Sequence, residues 1–243
     1  MARTRRMGLT LLVATLAACD TGTDPNLETG TLLNGDVAMV AADAVLADLS
    51  FMQATGTPGM GPAGTAGAPL ERSRTVEFFD AEGDEMDGYD PLLTDEVHIV
   101  VEVSGETSRD TWSASIERER DFTVSGLAGT ETTRTWNGTS SAEVSRSRHG
   151  DGGTRTYDMT EEGTVEDVVV GVPRAEHPWP LSGTIKRHVT VKLAGPQGEV
   201  EREREVVIVF DGTQFPDMTV NGETFDLDLA ARVGERPVRR RGG

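Results

Sequence analysis

Cys19 is the only cysteine in this chain of 243 residues, and it closes the stretch Leu16-Ala17-Ala18-Cys19. A thiol is a nucleophile that can be alkylated or acylated, and small residues before it let an extended chain enter a processing site. A second concentration of reactive groups lies in "DAEGDEMDGYDPLLTDE", residues 80–96, which holds eight carboxylates: Asp80, Glu82, Asp84, Glu85, Asp87, Asp90, Asp95 and Glu96. Calcium takes six to eight oxygen ligands, so Asp80, Glu82, Asp84 and Asp87 are candidate metal ligands. An EF-hand loop starting at Asp80 needs Gly at its sixth position, and Glu85 stands there. The run also reads as a solvated hairpin, with Val76 to Phe79 leading into a turn at Gly83, and that reading is preferred. The histidines, His98, His149, His177 and His188, are far apart in sequence, and His188 alternates with lysines on a polar strand face. The sequence contains no HExxH, GxSxG, SxxK or phosphate-binding glycine loop, so no catalytic residue and no cofactor is assigned.

The setting of Cys19 defines its chemistry. Arg3, Arg5 and Arg6 precede an apolar run from Met7 to Leu16, and small residues follow at Ala17 and Ala18. A positive start, a short apolar core and a small-residue site form the pattern of an export signal. The run is too short to span a bilayer, which takes about 20 helical residues. Leu16-Ala17-Ala18-Cys19 resembles the lipobox of bacterial lipoproteins. The resemblance implies a diacylglyceryl group on the Cys19 sulfur, cleavage between Ala18 and Cys19, and acylation of the new amino group. It covers about twenty residues and implies nothing about the rest of the chain. Each buried methylene stabilises membrane attachment by about 0.8 kcal/mol, so two or three chains anchor firmly. The lipidated chain has no free thiol and forms no disulfide, so its domain folds by core packing alone.

Charge narrows the partners. The chain has 41 acidic and 23 basic residues, a net charge of −18, and loss of Arg3, Arg5 and Arg6 with residues 1–18 takes it to −21. Nucleic-acid binding needs a basic face, and none is evident. The expected partners are the membrane, through the acyl chains on Cys19, and an unidentified protein or ligand of the envelope. The one basic cluster, Arg236 to Arg241, falls in a segment read as a frayed tail, residues 233–243.

These segments require a scaffold. Residues 19–35, rich in Thr, Gly and Asp, read as a lipid-anchored tether. Residues 36–53 read as an amphipathic helix with Asp36 as N-cap and a stripe of Val37, Val40, Ala41, Ala44, Val45, Leu49 and Met52. Asp43 and Asp48 fall at the edges of that stripe. Residues 54–72 are Gly-, Pro- and Ala-rich and read as a flexible linker. From 73 to 232 apolar residues alternate in period two, as in Val97, Ile99, Val101 and Val103, or Ile185, Val189 and Val191 against Lys186, His188 and Lys192. Turn signals separate the runs, and Asn221-Gly222 is a strong hairpin marker. Short links favour antiparallel neighbours. The fold class is therefore mainly β: an antiparallel meander of roughly ten strands, as a sandwich or a curved, partly open barrel, with one N-terminal amphipathic helix after the signal peptide. "SIERERDFTV" and "VEREREVVIV" echo each other, and on adjacent strands Arg118, Arg120, Arg202 and Arg204 would pair with facing carboxylates.

The sequence thus points to a lipid-anchored protein of the cell envelope, facing the periplasm or the exterior. It displays an acidic β domain with a structural or binding role. One alternative is a carrier of lipid or another apolar ligand in an open barrel, and a second is a calcium-dependent binding module.

Overall fold

The computed structural model describes residues 25–53, 70–109, 112–150, 153–195, 198–231 and 237–241. The export signal, Cys19 with residues 20–24 of the tether, and residues 54–69 of the linker lie outside the described residues. Among the described residues one helix, α1 (Pro25–Met52), precedes eleven strands: β1 (Leu70–Asp80), β2 (Glu85–Met86), β3 (Thr94–Arg109), β4 (Trp112–Ser125), β5 (Thr133–Gly150), β6 (Gly153–Gly171), β7 (Ser182–Gly195), β8 (Gly198–Val209), β9 (Asp217–Val220), β10 (Glu223–Leu227) and β11 (Val238–Arg240).

All eleven strands form one antiparallel sheet in the order β11-β10-β9-β8-β7-β6-β5-β4-β3-β1-β2. It is a meander that does not close, the open form of the expected architecture. Period-two alternation sends Val97, Ile99, Phe122, Val124, Trp136, Val165, Ile185, Val206 and Ile208 to one face, where they form the core. Their neighbours face solvent. Turns follow local chemistry: Asn221 and Gly222 both have positive φ, 47° and 80°, as a two-residue hairpin with the strand twist demands. Gly138, at φ 141°, sits at a register shift between β5 and β6, where an added Cβ would lie 2.1 Å from the Asp121 carbonyl oxygen. Asn137 holds that shift, donating to Asp167 Oδ1 at 3.2 Å and accepting the Asp167 N–H at 2.8 Å.

Helix α1 packs on the core face. Val37, Ala38, Ala41, Ala42, Ala44, Val45, Leu46, Leu49 and Met52 are all buried. At 100° per residue, the directions from Ala44 to Leu46 cover more than half of the circumference. A flat sheet covers a narrower apolar stripe, so the sheet curls round the helix. Phe51 meets Phe122 of β4 and Trp136 of β5 at 6.0 and 5.9 Å between ring centres. Each such buried Val, Leu or Phe contributes about 1.5–3 kcal/mol by leaving water.

The described structure corrects four boundaries or pairings. The helix begins at Pro25, within the segment read as tether, and Asp36 is not its N-cap. Proline's fixed φ and missing N–H suit a first helical turn. Strand β1 begins at Leu70, inside the segment read as linker, because Leu70 to Arg72 pair with Gly105 to Val103. The segment read as a frayed tail contains β11, which pairs with β10. Arg240 pairs with Glu223, and Arg241 bridges Asp226 at 2.7 Å and Asp217 at 3.1 Å. The acidic strands thus recruit the basic end. Fourth, β4 and β8 are not adjacent, because β5, β6 and β7 lie between them.

Candidate functional site

The charges of the sheet divide between its two faces. On the core face, the strand period places Arg118 and Arg120 in phase with Ile116 and Phe122, Glu161 in phase with Met159 and Val165, and Arg187 in phase with Ile185 and Val189. The register then lines them up in two rows. One runs Val103, Arg118, Ala142, Glu161, Val189, Arg204 across β3 to β8. The next runs Val101, Arg120, Ser140, Gly163, Arg187, Val206. Together they make a charged belt across an otherwise apolar face.

Helix α1 plants Asp48 in this belt. Arg120 Nε donates to Asp48 Oδ1 at 2.6 Å, and Arg187 donates to Asp48 Oδ2 from the other side. Arg187 also pairs with Glu161. Asp48 is 2 % exposed and Arg187 and Glu161 are 3 % exposed, so these charges are cut off from water. Ser140 and Gly163 lie between Arg120 and Arg187 in the row and leave the space. A Cβ on Gly163 would stand 2.6 Å from Ser140 Oγ and 3.5 Å from the Arg187 guanidinium. Burial pushes the Arg187 guanidinium below its ordinary pKa, and Asp48 acts against that shift. Arg118 is likewise lowered, by burial and then by the neighbouring charge of Arg120. Nearer the helix start, Arg204 donates to Asn34 Oδ1, and Asn34 Nδ2 donates to Glu223 at 3.0 Å.

The arginines of the two echoing strands therefore act otherwise than expected. Arg120 takes its carboxylate from the helix, and Arg204 meets Asn34. Asp48, expected at the edge of the helical stripe, is at its buried contact with the sheet. The sequence reading missed Glu161 and Arg187 altogether. Their signal was their phase: a charged residue where the strand alternation calls for an apolar one.

The solvent face carries a wide groove of about 710 Å³ whose lining includes Glu119, Asp121, Glu162, Lys186, His188 and Glu205. Glu119, Ser141, Glu162, His188 and Glu205 follow one another in register across β4 to β8. Its carboxylates outnumber its cations, and the chain's acidity is displayed here as a hydrated trough. At its margin His98 stands between two carboxylates, with Nδ1 3.1 Å from Glu77 and Nε2 2.7 Å from Asp121. These bonds, to Glu77 and then to Asp121, raise the His98 pKa against a smaller opposing effect of burial.

The acidic hairpin forms as expected. The Asp80 carboxylate accepts the N–H groups of Glu82 at 3.1 Å and Asp84 at 2.9 Å, and β2 returns along β1. Asp80 thus caps its own turn, while Glu82, Asp84 and Asp87 point outward as exposed side chains. Among the described residues no group of three or more His, Cys, Asp or Glu is placed to hold a metal ion. Trp179 packs half-buried against the core, beside Gln53, whose amide donates to the Pro178 carbonyl at 3.3 Å. Cys19 and Ala18 lie outside the described residues. Among the described residues no helix is long and apolar enough to cross a membrane.

No family model matches this chain, and no curated protein or solved structure matches it either.

Proposed function

We propose that this chain is a lipid-anchored lipoprotein of the cell envelope that displays an acidic β domain in a structural or binding role. The observation that carries the reading is Leu16-Ala17-Ala18-Cys19 at the end of a short apolar segment with a basic start. The folded part is compatible with display on a membrane. Its solvent face is acidic and its core is closed by its own helix, without any disulfide. Expression in a bacterium with labelled palmitate tests the reading. The chain should take up label and sediment with membranes, and Cys19→Ala should abolish both. Labelling that survives the substitution would contradict it.

A second reading is a carrier of an apolar ligand, favoured by the open sheet curled about a central lane. In this structure α1 fills the lane, so the carrier reading requires α1 to give way to the ligand.

A further inference from the structure

Seen without α1, the belt on the sheet is unbalanced. Arg118, Arg120, Arg187 and Arg204 set four positive charges against the one negative charge of Glu161. Buried cations in an apolar wall are costly unless anions meet them. Asp48 is the anion that α1 brings, and it leaves capacity unused. Arg187 Nε, fully buried, has no hydrogen-bond acceptor among the described residues, and Arg118 makes no ion pair with any of them. A carboxylate or phosphate has the lone pairs to accept from several guanidinium N–H groups at once.

The surroundings of the belt are apolar on both sides along the strands. Val103, Ile116, Val144, Met159 and Val191 lie toward one end, and Phe122, Trp136, Val165, Ile185 and Ile208 toward the other. Asp48 of helix α1 enters this wall, followed by Leu49, Phe51 and Met52. An acidic head with an apolar stretch is the chemistry of an anionic amphiphile. Among the described residues α1 is tied to the sheet through side chains, so its departure breaks no strand ladder.

From this we infer that the belt is a recognition site for the head group of an anionic amphiphile, a carboxylate or phosphate on an alkyl chain, and that Asp48 occupies it as an internal ligand. The inference rests on the carrier reading and names the head group that it takes. The alkyl chain follows the lane that Leu49, Phe51 and Met52 now fill, and the head replaces the Asp48 carboxylate between Arg120 and Arg187, with Arg118 as an added donor.

Calorimetric titration of the full chain tests this with dodecanoate, dodecyl phosphate, neutral dodecyl maltoside and cationic dodecyltrimethylammonium, each below its micelle concentration. Both anionic probes should bind at least tenfold more tightly than the neutral and cationic ones. Asp48→Asn should unfold at lower temperature yet bind the anionic probes at least tenfold more tightly, because the internal competitor has lost its charge. Inorganic phosphate should raise the melting temperature of Asp48→Asn more than that of the unsubstituted chain. Arg118→Met, at an arginine whose side chain makes no ion pair with a described residue of α1, should keep the fold and weaken the preference for anionic heads. That variant keeps the test open should Asp48→Asn fail to fold. Equal binding of the neutral probe would preserve the carrier reading and overturn the head-group assignment. No binding of any probe would overturn both, as would an Asp48→Asn chain that folds and binds no more tightly.

Discussion

The two faces of the sheet use the same residue types for opposite ends. On the core face Asp48, Arg120, Glu161 and Arg187 are sealed from water and joined across α1 and three strands. On the solvent face Glu166 and Lys186 meet at 2.8 Å with about half of each side chain exposed. Coulomb attraction at such distances is several-fold stronger where water is excluded, but so is the cost of a partner lost. Distance alone therefore does not rank these pairs. The sealed belt determines where the helix sits, and the solvent pairs mainly keep a long acidic sheet hydrated.

Substitutions sharpen this contrast. The largest effect is expected from Arg187→Ala, which strands the Glu161 carboxylate in the core and leaves Asp48 with Arg120 alone. It should cost about 3–5 kcal/mol in chemical denaturation, the range for breaking a buried pair. Gly163→Ala pushes a methyl group into Ser140 Oγ, with the Arg187 guanidinium in ordinary contact behind it. It should cost about 1–3 kcal/mol, and Ser140→Ala added to it should recover part of the loss. Lys186→Ala, on the opposite face, should cost less than about 1 kcal/mol, and even that should fade in high salt. A loss from Lys186→Ala as large as that from Arg187→Ala would erase the distinction between the faces.

The smallest effect should depend on pH. The folded-state pKa of His98 is raised above its ordinary 6.5, chiefly by Glu77 and then by Asp121. Its protonated form is thus favoured by folding. The contribution is complete below pH 6.5 and disappears as pH rises through the raised value. His98→Gln should therefore lower the melting temperature at pH 5.5 and leave it nearly unchanged at pH 9. A loss that grew with pH would contradict the contacts to Glu77 and Asp121.

Most of the sheet was legible because alternation is a local signal. Val97 to Val103, Ile185 to Val191 and the Asn221-Gly222 turn each carry their placement in a few consecutive residues. The acidic hairpin was legible for the same reason, since Asp80 bonds to its own turn. The helix start was not, because Asp36 looks like a cap and Pro25 is a weaker mark. Strand β11 and the residue after it were hidden by their composition: Arg240 and Arg241 read as solvated until Glu223, Asp217 and Asp226 are brought beside them by β9 and β10. The belt is the hardest case. Asp48 lies 72 residues from Arg120 and 139 from Arg187, so only the folded sheet joins them. Its one local trace is charge in the apolar phase at Arg118, Arg120, Glu161 and Arg187.

The central claim is that Asp48 fixes α1 in the curled sheet through Arg120 and Arg187. A double-mutant cycle between Asp48→Asn and Arg187→Met, read by denaturant unfolding, measures that coupling directly. The sealed belt predicts a favourable interaction of about 2–3 kcal/mol, against less than about 0.5 kcal/mol for the same cycle at Glu166 and Lys186. Equal and small coupling on both faces would mean that apolar packing alone seats the helix, and would contradict the account.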